Sequence, residues 1–288
     1  MTIDIEPLRK ELGRKIEEED VVTQAPIKAM LATFDREEKV PEPGEPIAPG
    51  WHLLYLHSYA RRNQLGRDGA AFAGGVLPKI PMPRRMYAGS TFTFDGDICV
   101  GDKLKRETEF TDIQLRQGST GTLVVATQTR RIFTPRGLAV TEVYDGAFRE
   151  EVKAGAKSGV PKRDAPPESL PWQRTHKADI VSLFRFSAIT FNPHRIHYDR
   201  RYATTVEGYP GLVVHGPLMA TLLVDLLRQH DARPLQSFSF KVLKPVFECA
   251  DQRLITLHAR PQYPQAQAWV TDHEGQLCLQ AKAQWASD

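Results

Sequence analysis

Residues 184–228, FRFSAITFNPHRIHYDRRYATTVEGYPGLVVHGPLMATLLVDLLR, concentrate the candidate acid-base groups of this 288-residue chain. An Asn192-Pro193 turn leads to His194, Arg195, His197 and Asp199. A loop punctuated by Gly211 and Gly216 then opens an apolar helical run through Leu218, Met219, Leu222, Leu223 and Leu226. Histidine suits proton transfer because its unperturbed pKa lies near the working pH. An asparagine amide both donates and accepts hydrogen bonds, so Asn192 can position a water or simply fix the turn. The first N–H groups of a helix are unpaired and sit at the positive end of its dipole. Gly216 would let a carbonyl approach them without interference from a Cβ. Together these groups suit proton transfer beside a carbonyl oxygen that gains negative charge. His197 is the candidate acid/base, against the plainer reading of a satisfied structural histidine. The apolar run after Gly216 reads as core rather than a cofactor box.

The segment resembles the signature of the MaoC-like (R)-specific enoyl-thioester hydratases, Asp-x-Asn-Pro-x-His, then five residues, then Ala or Ser. Asn192-Pro193 stand in place, and His197 is followed by residues 198–202 and then Ala203. Two departures stand out. Two extra residues separate Pro193 from the histidine, and Thr190 takes the aspartate's position. The wording TFNPHRIHYD followed by EGYPGLVVHGPL is similar to one branch, the mitochondrial-type 3-hydroxyacyl-thioester dehydratases and the bacterial itaconyl-CoA and mesaconyl-C4-CoA hydratases. The resemblance implies a hydro-lyase that adds water reversibly to an enoyl-CoA thioester, in the specific case itaconyl-CoA or mesaconyl-C4-CoA to citramalyl-CoA. Coenzyme A would then be part of the substrate, with no metal and no redox cofactor. A straight-chain (R)-3-hydroxyacyl-thioester dehydratase, a hotdog thioesterase and a non-catalytic acyl-CoA-binding protein are the alternatives.

Such a hydration needs a group to deprotonate water, a group to protonate the α-carbon and a donor for the thioester oxygen. The resemblance assigns proton transfer to His197 and water positioning to Asn192. A threonine hydroxyl can hold water but cannot act as a carboxylate base at neutral pH. With Thr190 in the aspartate's position, either His197 works alone or another carboxylate moves in. Asp199 can orient the imidazole, or instead cap a helix or pair with Arg200 or Arg201. Val214, His215 and Gly216 belong to the region that frames the thioester, and His215 is open between capping, lining the pocket and packing. Arg195 and His194 lie in the two-residue expansion. There Arg195 offers two parallel donors to a free acyl carboxylate, unless it is a solvated loop residue. Arg84 and Arg85 are candidates for coenzyme A phosphates.

The rest of the chain must position these groups. Residues 151–171, EVKAGAKSGVPKRDAPPESLP, lack an apolar period and read as a linker between halves 1–150 and 172–288. The halves echo each other weakly. IKAMLATF follows Pro26 as LMATLLVDLL follows Pro217, and residues 90–94, STFTF, resemble residues 237–240, SFSF. Hairpins are predicted near the end of each half, turning at Gly137 and Gly275. A long apolar helix buries all its sides only when something curved wraps it, as a twisted antiparallel sheet does. The expected class is therefore α+β, and the resemblance implies a double hotdog, two helix-wrapped antiparallel sheets in one chain. In that arrangement the first half lacks the motif and supplies the opposite wall. Two unrelated α+β domains are the alternative. Residues 51–55, WHLLY, read as a small helix over the acyl pocket or as core filling.

Composition narrows the partners. Hydrophobic residues at 41% and charged residues at 25% fit an ordinary globular protein. Lys+Arg at 38 against Asp+Glu at 35 leaves +3, no charge ground for binding nucleic acid or a membrane. The pairs Arg84-Arg85, Arg130-Arg131 and Arg200-Arg201 read as solvated unless one meets a phosphate. Cys99, Cys249 and Cys278 are too few and too scattered for a disulfide framework or a zinc site. The polar, acidic first twenty residues are unlike a signal peptide, and no apolar run has the length of a membrane span. The expectation is a cytoplasmic protein acting on a small-molecule acyl-CoA, as a monomeric double hotdog or a homodimer.

Overall fold

The computed structural model describes residues 3–71, 75–118, 121–150, 170–248 and 254–286. The first half supplies strands β1 (Lys15–Val21), β2 (Arg84–Phe94), β3 (Lys103–Gly118), β4 (Gly121–Thr134) and β5 (Gly137–Arg149). The second supplies β6 (Trp172–His176), β7 (Leu235–Val242), β8 (Ile255–Gln262), β9 (Gln265–Thr271) and β10 (Leu277–Trp285). All ten join one antiparallel sheet in the order β1-β3-β4-β5-β2-β7-β10-β9-β8-β6. Read outward from the central β2–β7 seam, the two sides repeat the same topology. At the seam Thr91 lies opposite Ser239 and Phe92 opposite Phe238. The two sequence echoes are thus the two partners of one ladder. Gly137 and Gly275 hold φ of 122° and 74°, the positive values their hairpins require. Residues 151–169 of the expected linker lie outside the described residues, as does Cys249, while Cys99 and Cys278 are buried free thiols. No helix among the described residues is long and apolar enough to cross a membrane.

Among the described residues five α-helices accompany the sheet: α1 (Glu6–Arg9), α2 (Gln24–Thr33), α3 (Ile180–Ile189), α4 (Arg200–Thr205) and α5 (Gly216–His230). The expected pairing of IKAMLATF with LMATLLVDLL is corrected by this order. Helix α2 follows β1 as α3 follows β6, and the two pack together, with Phe34 stacked on Phe186 at 6.5 Å. Helix α2 buries one stripe, Ile27, Met30, Leu31 and Thr33. Helix α5 buries every residue from Leu218 to Leu227, the pattern of a helix wrapped on all sides. Each fully buried leucine there stabilises the fold by about 1.5–3 kcal/mol. Its buried Asp225 is held by Arg36 at 2.9 Å, which ties the chain beyond α2 to α5. In the first half the place of a second such helix is taken by irregular chain with short 3-10 turns at Trp51–Leu54 and Arg62–Gln64. Pro41, Pro43, Pro46 and Pro49 remove donors that a helix would need.

Residues directly opposite across an antiparallel ladder share a face. One row across the inner face reads Ala266, Ala283, Phe238, Phe92, Glu142, Arg130, Thr108. Over β8–β10 the face is small and apolar, and α5 settles on it. Over β3–β5 it becomes polar, and no long helix covers it. A cavity of about 810 Å³ opens there, between the first-half sheet and the start of α5.

Candidate active site

The loop that carries His197 is shaped by short-range hydrogen bonds. Thr190 ends α3, its hydroxyl donating to the Phe186 carbonyl at 2.6 Å. Phe191 then takes φ of 48°, a left-handed conformation costly for an aromatic residue. That reversal lets the Asn192 N–H donate to the Ser187 carbonyl at 2.8 Å. The Asn192 Oδ1 accepts the His194 N–H at 3.1 Å, so its amide nitrogen remains available to the cavity it lines. A 3-10 turn, Arg195–His197, follows and places His197 in the cavity wall.

His197 is 7% exposed, and its Nδ1 lies 2.7 Å from the Val213 carbonyl. A carbonyl only accepts, so Nδ1 carries the proton and Nε2 keeps its lone pair. The ring stacks on His215 at 3.7 Å. His215, fully buried at the N-cap of α5, shares a 2.8 Å hydrogen bond with Ser187 through Nε2, and its Nδ1 has no partner among the described residues. Burial, then the neighbouring His194, lowers the His197 pKa to about 3. His194 is lowered to about 4 by burial and by Arg85, and His215 falls well below 6.5 through burial and the other two rings. All three imidazoles are therefore neutral near pH 7. Gly216 begins α5 beside them, and its N–H has no acceptor within the helix.

Asn192, Thr190, His194, His197, Val214 and Gly216 thus line one cavity. Arg85 lines it too, 3.1 Å from Asp68 and donating to the Ala71 carbonyl at 3.0 Å. Four candidates lie outside the lining: His215, stacked behind His197, and Arg195, Asp199 and Arg84. Arg195 does not line the cavity: its guanidinium binds Asp199 at 2.7 Å and the Arg67 carbonyl at 2.9 Å, over the Tyr202 ring. Asp199 is occupied with Arg195 and with capping α4 through the Tyr202 N–H at 2.9 Å, so the Val213 carbonyl orients His197 instead. Arg84 is buried against Glu207 at 2.6 Å and is not part of the cavity lining. His52, from the WHLLY segment, does line the cavity, as do Leu53 and Tyr55.

Several site residues escaped the sequence reading. Asp68 comes from the loop at 61–71, which docks on the His197 loop through the Asp68 carbonyl and the Arg195 N–H at 2.8 Å. Its carboxylate lies 4.0 Å from His194 Nε2. On the opposite wall Glu142 accepts from Ser90 at 2.7 Å, Arg130 at 3.0 Å and Tyr87 at 3.2 Å. Burial opposes its ionisation, but Arg130 and the other donors outweigh it and hold the carboxyl below its usual range. Strand alternation was the available signal, because consecutive arginines in a strand point to opposite faces and one of Arg130-Arg131 must turn inward.

These residues fall within one family boundary. The chain belongs to the hydroxyacyl-thioester dehydratase type 2 family, whose model matches residues 50–248. A protein of Chloroflexus aurantiacus named mesaconyl-C(4)-CoA hydratase is 39% identical over 271 residues, 94% of this chain and 95% of its own. The fold is similar to a MaoC-like dehydratase from Phytophthora capsici, with TM-score 0.73 at 11% identity over 98% of both chains. It is also similar to a Mycobacterium tuberculosis protein described as a double hotdog, with TM-score 0.58 at 13% identity over 96% of both. The architecture is therefore the double hotdog.

Proposed function

We propose that this protein is a hydro-lyase that reversibly hydrates an enoyl-CoA thioester, converting mesaconyl-C4-CoA or itaconyl-CoA to citramalyl-CoA. The observation that carries the reading is the His197 ring. Its Nδ1 is committed to Val213, and its free Nε2 shares a cavity with Asn192 and the start of α5. The named hydratase relative supports the substrate class. With the thioester oxygen at the Gly216 N–H, the positive helix end favours the negative charge that develops there. Asn192 Nδ2 and His197 Nε2 hold a water beside the β-carbon. On mesaconyl-C4-CoA, whose double bond is conjugated to the thioester, the water oxygen bonds to that carbon, Nε2 takes its proton and the double-bond electrons move to the thioester oxygen as an enolate. The imidazolium then returns the proton to the α-carbon and becomes neutral again. Itaconyl-CoA, whose double bond lies one carbon further out, first becomes mesaconyl-C4-CoA as Nε2 takes a proton from the α-carbon and returns it to the terminal methylene. Burial disfavours imidazolium, so the proton rests on His197 only while the enolate stands beside it. Protons move and no electrons leave, so the step calls for no redox cofactor, and the Gly216 N–H takes the oxyanion charge that a Lewis-acid metal could otherwise hold. The reverse sequence dehydrates.

The test is a panel of mesaconyl-C4-CoA, itaconyl-CoA and crotonyl-CoA, scored by mass gain of one water and, for mesaconyl-C4-CoA and crotonyl-CoA, by loss of conjugated-thioester absorbance. His197→Ala should lower kcat by about 100-fold or more, the scale of losing a positioned acid/base. Near-normal turnover in that variant removes His197 from the mechanism. Faster turnover of crotonyl-CoA would favour the straight-chain dehydratase, and free-thiol release the thioesterase. Tight binding without conversion of any substrate would leave an acyl-CoA-binding protein.

A further inference from the structure

The inner face of β3–β5 holds charges that the proposed proton transfer does not use. Arg130 lines the cavity with a side chain 23% exposed, yet only its Nη1 has a hydrogen-bond acceptor among the described residues, Glu142 at 3.0 Å. Glu142 is already shared between three donors. The Arg130 guanidinium lies 4.4 Å from the Tyr144 ring centre, which fixes the plane of its fork. Arg106 lines the same cavity, bound to Glu18 at 2.8 Å, and its pKa is lowered by burial and then by the charge of Arg130. Directly across from Arg130, the buried Thr108 hydroxyl has no partner among the described residues. Two cations, Arg130 on Glu142 and Arg106 on Glu18, and an unpartnered hydroxyl therefore meet within this wall, and the rest of the Arg130 fork faces the cavity without an acceptor among the described residues.

We propose that Arg130 recognises the free carboxylate of a dicarboxylic acyl group, with Arg106 adding positive charge at the same wall. The inference rests on the hydratase reading for where the thioester sits. Tyr87 supplies the spacing. A Cβ on Gly216 would lie 3.8 Å from the Tyr87 Cβ, and the Tyr87 hydroxyl reaches Glu142, the partner of Arg130. The guanidinium is thus separated from the start of α5, where the thioester oxygen would dock, by the Tyr87 side chain and the Glu142 carboxylate that links the two. A short acyl group ending in a carboxylate fits that interval and can take two parallel N–H donors from the fork. An apolar acyl tail of the same length would strip water from a guanidinium and return no hydrogen bond, so the wall also selects against it. Arg195, the sequence candidate for this role, is already committed to Asp199 and Arg67.

The test compares two inert thioesters that differ in one end group, succinyl-CoA and butyryl-CoA, by isothermal titration calorimetry. The wild type should bind succinyl-CoA about 10- to 100-fold more tightly, as one charge-assisted pair implies. The double variant Arg130→Gln/Glu142→Gln removes both charges and strands neither, and should bring the ratio to about one. No preference in the wild type, or a preference kept by the double variant, overturns the proposal. Arg130→Lys keeps the charge and loses the fork. It serves if the double variant does not fold; it should cut the ratio severalfold, and an unchanged ratio counts equally against the proposal. Turnover of mesaconyl-C4-CoA is scored separately, so a protein that reads the carboxylate without hydrating remains distinguishable from one that does neither.

Discussion

Moving the assay from pH 8 to pH 5.5 should leave kcat/KM for hydration nearly unchanged. His197 is the reason, because burial and the adjacent His194 hold its ring at about 3. At pH 5.5 an imidazole of ordinary pKa 6.5 would be about 90% protonated, and a reaction needing its lone pair would slow about tenfold. At about 3 the protonated share is below about 1%, and the loss is too small to measure. His194 at about 4 and His215, well below 6.5, add no titration in that window. The assay is hydration of a pantetheine thioester, which lacks phosphates that titrate near pH 6. Rates are read within seconds of a pH jump, with far-UV circular dichroism confirming that the protein is folded. An acidic limb with an apparent pKa between 6 and 7 would refute the reasoning, since His197 would then be solvated rather than sealed against Val213.

Stability should behave in the opposite way. His52, His176 and His194 are held at about 4 and His197 at about 3, chiefly by burial, with His215 also depressed. The unfolded chain protonates all five near 6.5, so their contribution is present above that pH and is lost as pH falls toward the folded values. A group responding alone loses at most about 1.4 kcal/mol per pH unit, and only well below pH 6.5; a urea midpoint that stays level from pH 6.5 to 5 would contradict this. Gly69→Ala places a Cβ 2.1 Å from the Pro193 carbonyl oxygen at φ of 84°, so undocking of the loop at 61–71 should cost about 2 kcal/mol or more and raise KM. An unchanged melting temperature would show that the loop does not depend on that approach. Arg195→Ala should change kcat/KM by the same factor for dicarboxylic and simple enoyl thioesters, because Arg195 lies outside the cavity lining. A loss confined to dicarboxylic substrates would return Arg195 to the acyl site.

What the sequence determined by itself was local. Two glycine hairpins, the largely apolar α5 and the turn at Asn192-Pro193 follow from positive φ, helical periodicity and bonds spanning a few residues. Asn192, His197 and Gly216 could be named together before any fold was known because the segment resembles a family signature. Tertiary structure decided which ionisable groups meet. Arg84 found Glu207 across 123 positions, Arg36 found Asp225 across 189, and the loop bearing Asp68 docked beside His194. It also decided that, among the described residues, the first half sets no long α-helix on its polar inner face, which left half of a repeated sheet as the wall of a cavity. The physical reason is range. Turn and helix energies depend on neighbours along the chain, whereas the fate of a buried charge depends on which opposite charge the folded sheet brings within a few ångströms.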